Sequence, residues 1–258
     1  MTAIFTAPSW VKPFYSTFPL RTLPQEDTLP SANDSHPSLW IAPSSSSSPR
    51  PWASSDPECL RAQILFLIRH VAVTFRPWSN LSAAPGGTLP ALHLADEGKL
   101  LASEDVRAWL DKQHPSDDLN GMPDSATYDK AVAVAQLVLG RLRPFVAMAT
   151  DTLSSGSDLP KPPILSAGLT TPLPASLTGD ARTVNKEALE QSAYEAWDAL
   201  EMLVGDGWAL GATQPTPLDA LIAAYVWVAQ SHLQHRGAPA GALISYTGRV
   251  LDYAEKLL

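Results

Sequence analysis

Cysteine is almost missing from this chain: Cys59 stands alone among 258 residues, so no intramolecular disulfide framework exists and nothing points to an oxidising compartment. Charge is scarce as well. Asp, Glu, Lys and Arg make up 17% of the residues, against roughly 25% in an average soluble domain. A surface so sparsely charged leaves apolar area for a partner to cover. Basic residues are the rarer sign, 18 against 26 acidic, for a net charge of −8. A nucleic-acid binder needs a basic footprint to displace counterions from phosphates, and that class is excluded.

Long apolar runs are also lacking. Residues 59–75 are interrupted by Arg61, Arg69 and His70, and residues 131–149 by Arg141, Arg143 and Pro144. Residues 218–230 are clean but too few, which suits a buried core helix rather than a membrane span of roughly 18 residues or more. The first twenty residues hold Lys12, Pro13 and Pro19 and no unbroken apolar stretch. Neither a secretory signal nor an Arg-rich presequence is expected there, nor a tail anchor at Leu257-Leu258. Pro85-Gly86-Gly87 lacks the lysine and spacing of a phosphate loop.

Proline, in contrast, is plentiful and unevenly placed. Ten of the 24 prolines precede residue 58, together with the serine run 44–48, so residues 1–38 read as a Pro-rich arm. Its aromatic residues Phe5, Trp10, Phe14, Tyr15 and Phe18 are too many for a solvating tail, and the arm is expected to dock on the protein's own body or on a partner. An α/β layer follows over residues 39–113. Leu39-Trp40-Ile41-Ala42 reads as a strand, and Asp56-Pro57 as a helix start. A second strand is expected over 71–78, a third in 88–94 and a fourth at Leu100-Leu101 beyond a turn at Gly98, then a helix from Ser103.

Residues 114–123 read as a linker, and everything beyond, 124–258, as helical apart from an inserted Pro-rich loop at 154–180. Tyr128, Val132, Ala135, Leu139, Leu142, Phe145 and Ala149 line one face of a long helix that Pro144 should kink. Another helix carries Leu189, Ala193, Trp197, Leu200 and Val204. Thr216-Pro217-Leu218-Asp219 is a capping box with an aspartate as its acid, in which Thr216 accepts from the Asp219 N–H and Asp219 reaches back to the Thr216 N–H. The helix it opens is apolar nearly all round and should run through the centre of the helical layer. A last helix begins near Ala240.

With Leu89-Pro90 before the third strand and a capped, buried helix opening on an aspartate, this order resembles the glutathione-transferase fold: a thioredoxin-like layer, then an all-helical domain. Within that fold the residues resemble the metaxin family, and above all the smaller fungal metaxin-like subunit of the mitochondrial sorting and assembly machinery. The matching pieces are Pro57-Glu58-Cys59-Leu60-Arg61-Ala62-Gln63, Ser79-Asn80 with Gly87-Thr88-Leu89-Pro90, Gly211 to Ala220, and the stretch from Phe14 to Pro24. The resemblance implies a subunit without catalysis or cofactor, bound peripherally to the cytosolic face of the mitochondrial outer membrane. Its implied partners are the barrel-forming core subunit, another metaxin-like subunit and β-barrel precursor proteins. It also implies a cis peptide bond at Pro90.

The alternative is a glutathione-dependent thiol transferase. That chemistry needs a Tyr, Ser or Cys near the end of the first strand and an acid-serine pair opening the third helix. Ala102-Ser103 stands where the pair would fall, with Glu104 one place late. Cys59 lies near a helix N-terminus, which lowers a thiol's pKa, but Glu58 beside it opposes a thiolate, and a buried structural thiol is the simpler reading. Pro90, Thr216 and Asp219 are likewise assigned structural roles. His232 and His235 share a helix face as a metal pair would, but lack a third ligand.

Overall fold

The computed structural model describes residues 36–46, 48–115, 124–150, 186–233 and 241–258. All but the last three residues of the expected arm, most of the expected linker and the whole 154–180 insertion lie outside the described residues.

Strand β1 (Ser38–Ile41) is buried along its whole length. It feeds a loop and then helix α1 (Pro57–Ile68), whose N-cap Asp56 accepts from the Cys59 N–H at 2.8 Å while Pro57 takes the first helical position. Strand β2 (Thr74–Pro77) lies parallel to β1, an arrangement that requires a crossover, which α1 supplies. It is shorter than the 71–78 run expected, because α1 ends in a Schellman motif. His70 takes φ +53°, the His70 N–H donates to Leu67 O at 2.9 Å and the Val71 N–H to Phe66 O at 3.0 Å. Residues 70 and 71 therefore belong to the helix end. Pro77 is tolerated because β2 is an edge strand.

Strands β3 (Ala91–Leu94) and β4 (Lys99–Leu101) form a hairpin, with Gly98 at φ +60° in its turn, and complete a sheet of order β2-β1-β3-β4. β3 runs antiparallel to β1, with Leu92 opposite Leu39. The third strand starts at Ala91 rather than Thr88, just after a cis Leu89-Pro90 bond. Helix α2 (Ser103–Gln113) follows.

Alternate residues of the sheet go to opposite faces. Leu39, Ile41, Leu92 and Leu94 enter the main core, while Trp40 and Ala91 form a small cluster on the other face. Trp78 stacks on Trp40 with ring centroids 4.3 Å apart. Trp52 and Trp78 are both half-buried, Trp52 against the main core. Trp10 lies outside the described residues.

The helical layer begins with α3 (Ser125–Ala149), opened by Asp124, which accepts from the Thr127 N–H at 2.7 Å. Just before Pro144, where a kink is expected, the helix changes to a π turn over Val138–Leu142, in which the Arg143 N–H reaches back to Val138 O. Despite its arginines, this helix is long and apolar enough to cross a membrane by length and composition. Here it buries Val134, Val138, Leu142, Phe145 and Val146 in the core. α4 (Lys186–Leu203) buries Ala193, Ala196, Trp197 and Leu200. α5 (Pro217–Leu233) is enclosed on nearly every side over its first three turns, and α6 (Ala242–Glu255) buries Leu243, Tyr246, Val250, Leu251 and Ala254. One continuous core joins the layers: Leu60, Phe66 and Leu110 belong to the same cluster as Trp197, Tyr225 and Tyr246.

Candidate functional site

In an α/β layer of this kind a ligand is met where the first strand hands over to the first helix, because the helix N-terminus presents unpaired N–H groups and a positive dipole end. Here that end is occupied by the chain itself. Asp56 caps it, and burial raises the Asp56 carboxyl above its ordinary value against the opposing bond from the Cys59 N–H. The hydroxyls nearby are also committed. Ser54 Oγ donates to Ala42 O at 2.8 Å and Ser55 Oγ to Pro43 O at 2.7 Å, tying the helix start to the end of β1. The Gln63 side chain closes the same loop from inside, accepting from the Ser54 N–H at 3.0 Å and donating to Trp52 O at 2.8 Å.

Cys59 faces inward and is fully buried. The Ala42 N–H points at its sulfur at 3.4 Å, while burial first and the Asp56 charge second push the thiol's pKa far up. A thiol so placed is a packing group and not a nucleophile at neutral pH. The serine run is tethered as well: Ser48 Oγ donates to Arg50 O at 3.1 Å, and Arg50 pairs with both Asp252 and Glu255 on α6.

Between α1, Pro90 and α2 lies a cleft of about 70 Å³, bordered by Glu58, Arg61, Ser103 and Arg107. Ligand pockets run to roughly 300–1,000 Å³, so this one has room for a few waters. Both Glu58 oxygens are engaged. Oε1 accepts from the Tyr225 hydroxyl at 2.6 Å and Oε2 from Arg61 at 3.1 Å. The Tyr225 hydroxyl is held protonated by burial and by the Glu58 charge. Ser103 opens α2 with Ala102 at the cap position and no side-chain cap bond.

Thr216 and Asp219 meet at the start of α5, as the spacing predicts, although the bonding differs in one detail. The Asp219 N–H goes to Thr216 O at 3.0 Å, and the Thr216 hydroxyl donates to Asp219 Oδ2 at 2.6 Å instead of accepting. The Thr216 N–H also donates to Oδ2, at 2.7 Å. Oδ1 takes the Ala209 N–H at 2.8 Å and the Tyr246 hydroxyl. One buried carboxylate thus gathers four donors from three segments. The last two are separated from it by ten and 27 residues, beyond what a capping motif announces. Among the described residues no group of three or more His, Cys, Asp and Glu could hold a metal ion, and His235 lies outside them.

Solved structures place this arrangement. The chain is similar to a glutathione transferase of Phanerochaete chrysosporium crystallised with oxidized glutathione, at 12% identity and a TM-score of 0.53, over 87% of this chain and 95% of that one. It is equally similar to a glutathione S-transferase of Sinorhizobium meliloti, with 14% identity, a TM-score of 0.53 and coverage of 86% and 92%. A possible glutathione S-transferase of Rhodopseudomonas palustris aligns at 16% identity and a TM-score of 0.52, over 85% and 95%. The fold is that of the glutathione transferases. No protein-family model and no curated sequence matches the chain. In this chain the Leu89-Pro90 bond is cis, and the N-terminal end of α1 is filled by the chain's own side chains.

Proposed function

We propose that this protein is a non-catalytic, peripheral subunit of the mitochondrial outer-membrane sorting and assembly machinery, of the metaxin kind, which helps to receive and insert β-barrel precursors. The observation that carries the absence of catalysis is the closed end of α1. Asp56 occupies the cap, the Ser54 and Ser55 hydroxyls donate to backbone carbonyls, and Cys59 is buried. A thiolate-activating group has no place left there. The assignment to barrel assembly rests on the sequence resemblance, with which a glutathione-transferase-like fold is compatible. On this reading the protein sits on the cytosolic face, held by the barrel-forming core subunit and a second metaxin-like subunit.

One finding favours a second reading, a glutathione-dependent thiol transferase. Proteins with this fold include enzymes crystallised with glutathione or its analogues, among them one from Methylobacterium radiotolerans with glutathione sulfonate. Against it stand Ala102 in place of the acid before Ser103 and a cleft too small for a tripeptide. A pull-down of the tagged protein from detergent-solubilised mitochondria, with the same preparation passed over immobilised glutathione, separates the two. Co-purification with a β-barrel outer-membrane protein and no retention on glutathione supports the assembly subunit. Retention on glutathione without a membrane partner overturns it.

A further inference from the structure

A larger cleft lies at the opposite end of α1. It measures about 500 Å³ and is walled by Arg69, His70, His114, Gln214, Pro215 and Tyr253, among others. That volume is within the range of small-molecule sites.

Its hydrogen bonding is incomplete. Arg69 is almost wholly enclosed, its side chain 7% exposed, and its Nη1 is spent on Asp111 at 2.6 Å and on His114 O at 3.3 Å. Asp111 is shared, since its other oxygen takes Arg107 Nε at 2.9 Å. Of the two guanidiniums on this carboxylate, Arg107 is the more exposed and borders the cleft between α1 and α2. The shortfall is at Arg69, whose Nη2 is buried with no hydrogen-bond partner. Buried polar groups are nearly always paired, and a cation that stays charged at every physiological pH has no protonation route to relief. A carboxylate or phosphate oxygen set against Arg69 supplies the missing acceptor and an opposite charge together.

The rest of the wall defines the ligand further. His70 and Gln214 are exposed polar groups at the cleft, and Ile68, Pro215, Pro217 and the Tyr253 ring supply apolar surface. His70 stands in the left-handed region at the Schellman position, where glycine carries no penalty. An imidazole kept there at a conformational cost is consistent with a side chain wanted by the cleft.

We propose that this cleft binds a small organic anion, its carboxylate or phosphate head paired with Arg69 after a slight turn of the guanidinium, and its body against Pro215, Pro217 and Tyr253. The site is independent of the cleft between α1 and α2 and of the barrel-assembly reading.

Calorimetric titration of the full-length protein with inorganic phosphate, phenyl phosphate and benzoate, at ionic strength matched with sodium chloride, tests it. Saturable binding of phenyl phosphate or benzoate is expected, with the stronger of the two naming the head group, and inorganic phosphate weaker than phenyl phosphate. Arg69→Gln should weaken binding by about tenfold or more, as loss of a charge-assisted pair does. Gln214→Trp, a change at an exposed position that cannot unfold the core, should block the cleft. His70→Gly should raise the melting temperature while weakening binding. Absence of saturable binding of all three probes overturns the proposal. So does binding that survives both Arg69→Gln and Gln214→Trp, or phenyl phosphate and benzoate both binding no tighter than inorganic phosphate.

Discussion

The Tyr225 hydroxyl of α5 donates a 2.6 Å hydrogen bond to Glu58 Oε1 on α1, across 167 residues of chain. It joins the helical layer to the α/β layer at the border of the cleft between α1 and α2. Tyr225→Phe leaves Glu58 short of one donor in a partly buried place, and should cost about 1–2 kcal/mol in urea unfolding. Glu58→Gln should cost less, because the amide oxygen still accepts.

Tyr225 and Tyr246 also set the alkaline limit. Burial first, and then Glu58 and Asp219 respectively, raise both hydroxyls above the ordinary tyrosine value near 10. The unfolded chain therefore loses these protons first as pH rises past 10, and stability falls from that point. Each tyrosine contributes a slope of about 1.4 kcal/mol per pH unit. Unfolding free energies measured between pH 9 and 11 should show it together with the slope of the buried Cys59 thiol, whose pKa is also raised, and Tyr225→Phe should remove roughly a third of the fall above pH 10. An unchanged slope in that variant would contradict the assignment.

Asp219→Ala strands the Thr216 N–H and hydroxyl, the Ala209 N–H and the Tyr246 hydroxyl in a dry interior. At about 1–3 kcal/mol for each unsatisfied buried group, and less than additive, the loss should reach about 4 kcal/mol and abolish soluble expression if the fold is marginal. Thr216→Ala removes one of these four donors, a hydrogen bond to a charged group, and should cost about 1.5–2 kcal/mol. A drop in Asp219→Ala no larger than in Thr216→Ala would show that the two long-range donors add nothing.

Asp56 behaves oppositely to a salt-bridged carboxylate. Burial raises its pKa from 3.8 in the fold, so the folded state binds the proton more tightly. Its contribution to stability increases as pH falls through the raised folded value toward 3.8, and declines as pH rises through that interval. Asp56→Asn keeps an equally good cap without a buried charge, so at pH 7 it should match or exceed the parent in chemical denaturation. Asp56→Ala should lose about 1 kcal/mol.

Arg50 holds the serine loop to the last helix through Asp252 and Glu255, both largely exposed. Pairs of that kind contribute at most about 1 kcal/mol, so Arg50→Ala should leave global stability nearly unchanged. Limited proteolysis should nevertheless cut near residues 44–50 several times faster than in the parent.

The sequence by itself determined whatever depends on neighbours along the chain. Asp56-Pro57 announces α1, Thr216-Pro217 with Asp219 announces α5, and Gly98 marks the hairpin, because caps and turns are settled by groups within a few residues. The glutathione-transferase fold was legible in the order of those elements, and the burial of α5 in its uniform apolarity. Tertiary structure alone decided what required distant partners. Trp78 stacks on Trp40, far from it in sequence. His70 looked like the approach to a strand until the backbone took a left-handed turn that histidine rarely adopts. Pro144 marked an irregular place in its helix, but not the π turn that precedes it. Asp219 looked like a local cap, yet half of its hydrogen bonds come from Ala209 and Tyr246. The unpartnered Nη2 of Arg69 was equally invisible, since it follows from how the end of α1 packs against α2. Local rules fix how a segment bends and begins; which groups are dry, shared or left over depends on packing between segments.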